Sequence, residues 1–172
     1  MKKINLIFVC VLTVQITHAQ TCSSVSEIHP STPNGIFNDY GDGTVSDNST
    51  GLMWQKCQLG LSGSDCLTGS VTSHNWEEAL NMANNSTLAE YNDWRLPNHK
   101  ELLSIVEQRC YSPSINTTYF PNTSSSYFWS ISPSVSYSES SWVVNFDHGG
   151  SFNSNGRDGR FSNFFVRLVR SE

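Results

Sequence analysis

Residues 75–110 read NWEEALNMANNSTLAEYNDWRLPNHKELLSIVEQRC, and two helix starts lie inside them. Asn75 stands three residues before Glu78, and Asn98 three before Glu101. Each pair is a capping box, in which the Asn side chain takes the N3 amide and the Glu reaches back to the cap. After the first box, Trp76, Ala79, Leu80 and Ala83 fall on one helical face until Asn84-Asn85-Ser86 stops the pattern. After the second, which follows Pro97, the inner stripe is Leu102, Ile105, Val106 and Arg109, with an end expected near Cys110. Helices this short are marginal alone, so each must lay its apolar stripe on something else.

That support reads as a sheet. Phe37 to Trp54 has hairpin chemistry, with Asp39-Tyr40-Gly41-Asp42-Gly43 and Ser49-Thr50-Gly51 as turns between β-forming runs. Farther on, Tyr127–Ser130, Ser141–Phe146 and Phe164–Arg170 are aromatic or β-branched runs. In the last run Phe165, Arg167 and Val169 should face one way and Val166, Leu168 and Arg170 the other. Asp147–Asn163, rich in Gly, Asn and Ser, reads as a long loop. The fold class is therefore α+β, with two short helices packed on a mainly antiparallel, loop-rich sheet.

The 172 residues divide into a signal peptide over 1–19, an N-terminal arm over 20–35 and one domain over 36–172. Lys2 and Lys3 precede a mostly apolar stretch, Ile4–Ile16, and Thr17-His18-Ala19 offers a cleavage site after Ala19. At roughly 13 residues that stretch falls well short of the ~20 needed to cross a bilayer. The expectation is an exported protein in the periplasm, at the cell surface or outside the cell. Four cysteines then remain, an even number that reads as two disulfides. The slack Gly/Ser segment between Cys57 and Cys66 pairs them locally and leaves Cys22 for Cys110. In the chain-entropy account the long loop contributes up to about 4–5 kcal/mol and the short one about 2–3 kcal/mol.

Without Lys2 and Lys3, eight basic side chains face fifteen acidic ones, a formal charge of −7. Such a balance argues against nucleic acid as a partner and against docking on anionic lipid. Nucleophile elbows, phosphate loops, HExxH and GxGxxG are all missing from the chain, so no catalytic residues are assigned and a non-enzymatic role is expected. No metal or other cofactor is assigned. Calcium was tested on Asn38–Ser49, where Asp42-Gly43 resembles part of an EF-hand loop. Tyr40 and Ser49 occupy positions that need carboxylates, so the segment reads as a turn.

Two clusters remain. Asp93-Trp94-Arg95-Leu96-Pro97-Asn98 reads as a buried Trp, an internal Asp93–Arg95 pair and a turn launching the second helix. The 148–163 loop is the candidate ligand surface. There Asn153, Asn155 and Asp158 can exchange hydrogen bonds with hydroxyls, and Arg157 and Arg160 can hold an acidic group, while Trp142 or Phe152 can stack on a sugar face.

Phe37–Asp47 with Thr50-Gly51-Leu52-Met53-Trp54, Trp76–Leu80, Asp93–Asn98, Phe120-Pro121-Asn122-Thr123 and the three late runs occur in an order that resembles one known family. It is the domain at the C-terminus of the collagen-like adhesin of Legionella, and the resemblance covers roughly residues 36–170. It implies a C-type-lectin-like fold and an adhesin-like module that binds a glycan or surface polysaccharide. In that adhesin the domain resembles a trimeric head for sulfated glycosaminoglycans. This chain lacks the collagen stalk, and its acidity requires Arg157, Arg160, Arg167 and Arg170 to gather into one patch if a polyanion is to bind. An enzyme on a lectin-like scaffold, or an assembly component of the bacterial envelope, are the competing readings.

Overall fold

The computed structural model describes residues 19–154 and 159–172. The expected leader, Ala19 apart, therefore lies outside the described residues, as do Asn155, Arg157 and Asp158 of the candidate loop.

In chain order the elements are β1 (Thr21–Cys22), β2 (Phe37–Asp39), β3 (Thr44–Asp47), β4 (Leu52–Gln55), β5 (Leu61–Ser62), β6 (Thr68–Gly69), α1 (Trp76–Asn84), α2 (His99–Ser104), β7 (Cys110–Tyr111), β8 (Tyr127–Pro133), β9 (Ser141–Asn145), β10 (Ser151–Asn153) and β11 (Val169–Ser171). The fold is α+β, two short helices on antiparallel sheets. Strands β2, β3 and β4 form a meander, and β11 returns from the far end of the chain to lie beside β4. A second sheet runs β10-β9-β8.

Local chemistry sets the meander. Asp39, Asp42 and Asp47 each accept from the backbone N–H two residues on, at Gly41, Thr44 and Ser49. Gly43 and Gly51 take φ of +94° and +67°, which an L side chain resists. The short ribbon β5–β6 brings the chain so close to itself that a Cβ on Gly60 would strike the Ser70 carbonyl. Both disulfides pair as expected: Cys57–Cys66 closes this ribbon's loop, and Cys22–Cys110 ties β1 to β7.

The central strands β4, β8 and β9 are buried on both faces, and the pleat sorts their side chains into two halves of the core. Leu52 and Trp54 of β4, Phe128 of β8 and Val144 of β9 join Leu102, Ile105 and Val106 in one half. Met53, Trp129 and Val143 join Ala79, Ala83, Trp94, Leu96 and Leu168 in the other. Thus α2 covers one face and α1 the opposite one. Both capping boxes are present as read.

Four expectations are corrected. The second helix stops at Ser104 rather than near Cys110, because Val106 leaves it to bridge with Ile115. Ser151–Asn153, expected within a loop, adds to the edge of β9 as β10. Only Val169–Ser171 of the last run is a strand, since Phe164 and Phe165 instead make isolated bridges to His74 and Phe128. Asp93 and Arg95 do not pair with each other: Arg170 takes Asp93 and Glu101 takes Arg95, both at 2.7 Å.

The arm is tied down more firmly than its Ser/Thr/Pro composition suggests. Glu107, 4% exposed, accepts from the amides of Ser31 and Thr32, from the Thr32 hydroxyl and from the amide of Arg109. Burial pushes the Glu107 carboxyl up, yet these donors more than offset it and hold it below its ordinary value of 4.5.

Candidate functional site

Strand β9 divides the predicted ligand residues between the two faces of its sheet. Trp142 is half-buried and stacks on His99, the first residue of α2, with ring centres 4.8 Å apart and planes 17° apart. The His99 amide donates to the Ser132 hydroxyl, and burial pushes its imidazole pKa down. Asn153 is the register partner of Trp142 and shares this α2 face. Phe152 is the partner of Val143 and shares the α1 face, its exposed ring edge-on to Tyr127 at 6.0 Å.

Arg160 also belongs to the α1 side. Its backbone N–H donates to the Glu139 carbonyl and its Nε to the Ser141 hydroxyl at 3.0 Å. The guanidinium lies 4.3 Å from the centre of the Trp76 ring, whose Nε1 is anchored to the Ser130 carbonyl. Next to it Phe161 is 78% exposed. The structure thus brings Arg160, Trp76 and Phe161 together and separates them from Trp142 and Asn153. Trp76 and His99 were missed by sequence reasoning. Each is the first residue of its helix: Trp76 reads as part of the apolar face, and the capping pattern gives the His99 side chain no role.

The electrostatics are those of an acidic surface with its cations mostly engaged. Lys56 pairs with Asp39 at 2.6 Å, and Arg170 holds Asp93 while lying 3.9 Å over the Tyr91 ring. Hydrogen bonding to Glu101 raises the Arg95 pKa, and hydrogen bonding to Asp93 raises that of Arg170. Arg167 is fully buried. It donates to the carbonyls of Gln55 and Lys56 and to the Thr123 hydroxyl, above the Phe120 ring. Burial pushes its pKa down to about 9, which leaves it protonated at neutral pH. Arg167 and Arg170 are therefore withdrawn from any surface patch, and Arg157 lies outside the described residues. Among the described residues Arg160 has no carboxylate within ion-pair distance.

Two clefts flank this framework. One of about 400 Å³ lies between the β2–β3 turn and the Cys57–Cys66 loop, with the Asp39–Lys56 pair in its wall. The carboxylates around the tested calcium segment are occupied in closing their own turns, Asp42 taking both the amide and the hydroxyl of Thr44. The other cleft, about 450 Å³, lies between the arm and residues 107–118. No helix among the described residues is long and apolar enough to cross a membrane.

Among curated proteins none matches the chain. The family model of the Lcl C-terminal domain matches residues 43–170, a stretch holding both helices, the strands from β3 to β10 and Arg160, with only the Phe37–Asp42 part of the resemblance outside it. Covering well over half of the sequence, that match shows that the chain belongs to the Lcl C-terminal domain family.

Proposed function

We propose that the chain is an exported, non-enzymatic binding module on a C-type-lectin-like scaffold, taking an acidic glycan or surface polysaccharide at the cell surface or in the matrix. The observation that carries this reading is Arg160 held over Trp76 beside an exposed Phe161, with no carboxylate of the described residues in reach. A guanidinium pinned through Nε and ring stacking keeps its Nη edge oriented, which favours recognition of a carboxylate or sulfate. Phe161 adds an apolar face of the kind that packs on the C–H surface of a sugar ring. Two disulfides support an oxidising compartment and hence export.

A glycan array read with and without calcium, at low and raised salt, tests the proposal on wild type, Arg160→Gln and Phe161→Ala. Binding to acidic glycans should weaken about tenfold in each variant and decline with salt, as expected for a contact made to a charged group. Retention undiminished in both variants would overturn the site. Absence of binding to every sugar, with an envelope protein recovered by cross-linking, would overturn the glycan reading. The apolar turn side chains Val135, fully exposed, and Tyr137 would then be the first place to look for a protein contact.

A further inference from the structure

The second cleft holds an arginine that the rest of the molecule leaves unanswered. Its walls come from the arm, at Thr32 and Asn34, and from the corner after α2, at Glu107, Arg109, Asn116 and Thr118. Most of their polar groups are committed. Asn116 Nδ2 donates to the Thr32 carbonyl and to Asn34 Oδ1, both at 2.8 Å, and its Oδ1 accepts from the Thr118 amide. Glu107 is saturated by the arm and by the Arg109 amide. Gln20 braces the outer rim through the carbonyls of Pro113 and Ile115 and through the Thr117 hydroxyl.

Arg109 differs from Lys56, Arg95, Arg167 and Arg170 in the acceptors that it meets. Lys56, Arg95 and Arg170 each meet a carboxylate, and Arg167 meets carbonyls. Among the described residues the Arg109 side chain has neither an ion pair nor a hydrogen bond; its Nε, like that of Arg167, is closed off without an acceptor, which leaves the Nη end to meet the cleft. A guanidinium whose Nη donors face a cleft without an acceptor is open to an incoming anion. Here the unanswered donor belongs to a side chain lining a cleft with room for a sugar ring, on a rim already fixed by Asn116 and Gln20.

We propose that this cleft is a second ligand site, independent of the Arg160 surface, in which Arg109 takes the carboxylate of a uronate-type sugar. The planar edge formed by the two Nη groups of a guanidinium matches two carboxylate oxygens, and Thr118 and Asn34 lie on the wall that ring hydroxyls would meet. The Glu107 carboxylate in the same wall is kept ionised by its own donors and disfavours ligands of high charge density, which selects a monoanionic sugar over a polyanion.

The test uses the full exported chain, with D-glucuronate, D-glucose and inorganic sulfate as probes, read by calorimetry and by the Arg109 Nε–H resonance. Glucuronate should shift that resonance together with the Asn116 and Thr118 amides, and should bind about tenfold or more tightly than glucose. Arg109→Gln should lose glucuronate by a similar factor, while Arg160→Gln keeps it. The resonance is read on wild type, so the proposal stays falsifiable even if Arg109→Gln folds poorly. An unmoved Nε–H, undiminished binding in Arg109→Gln, or sulfate binding as tightly as glucuronate would each overturn it. Any of these with glycan capture at Arg160 intact leaves the proposed function standing, and loss in Arg160→Gln alone leaves this site standing.

Discussion

Replacing Arg167 by methionine separates a core arginine from a ligand-binding one. The guanidinium gives three hydrogen bonds, to Gln55, Lys56 and Thr123, and bonds to a charged group contribute about 1.5–3 kcal/mol each, so roughly 4–9 kcal/mol is removed. Methionine fills similar volume and returns several kcal/mol by relieving the desolvation of a fully buried cation. That figure of roughly 4–9 kcal/mol already contains the cost of leaving the carbonyls of Gln55 and Lys56 without their donor. The net expectation is a loss of about 2–4 kcal/mol, a fall of roughly 5–15 °C in Tm for a domain of this size. Urea unfolding and calorimetry measure the loss, and glycan capture well below the Tm measures function on the same sample. Stability within about 0.5 kcal/mol of wild type together with lost capture would refute the burial argument, since changes of that size are typical of surface positions.

Glu107 carries the acid sensitivity of the arm. Its carboxyl is held below 4.5, so its contribution is complete above that value and is lost as the pH falls through the lowered one. Glu107→Gln should be less stable than wild type by about 2–4 kcal/mol at pH 7, with the gap closing below pH 4 because only the ionised form accepts from every donor. Unfolding free energies at both pH values check this, and a gap independent of pH would refute it. Trp94→Ala should destabilise by about 3–5 kcal/mol, because the ring is buried and its Nε1 is spent on the Leu88 carbonyl. A stable Trp94→Ala variant with lost glycan capture would instead make Trp94 a sugar-stacking residue.

The features legible in the sequence are those written within a few residues. Asn75–Glu78 and Asn98–Glu101 announce both helices, and the Asp and Gly turns announce the meander, because each device is closed locally. What stayed hidden depends on partners far along the chain. Val106 still fits the helical stripe, but Ile115 offers it a bridge and the helix ends. Asp93 and Arg95 look like a pair only until Arg170, 77 residues from Asp93, takes the carboxylate. Arg167 reads as one of four arginines that could form a patch, whereas the carbonyls of Gln55 and Lys56, more than a hundred residues earlier, hold it in the interior. In the candidate site, Arg160 was legible as a polar group on a loop. The ring beneath it was not, because Trp76 precedes it by 84 residues and reads as helix filling.

The Cys22–Cys110 link also sets how the molecule answers a pull. A load entering near Gln20 and leaving at Glu172 crosses from Cys22 to Cys110 through sulfur, so the 88-residue separation is bypassed. About 300 Å of contour is thereby withheld from stretching while the bond is intact. The tension passes instead into the segment from Cys110 onward and reaches β11, held by β4, and Glu172, held by the Gly51 carbonyl and the Tyr40 hydroxyl. Pulled at both ends, the molecule thus yields from Cys110 onward while the helix caps, enclosed between the two cysteines, stay slack.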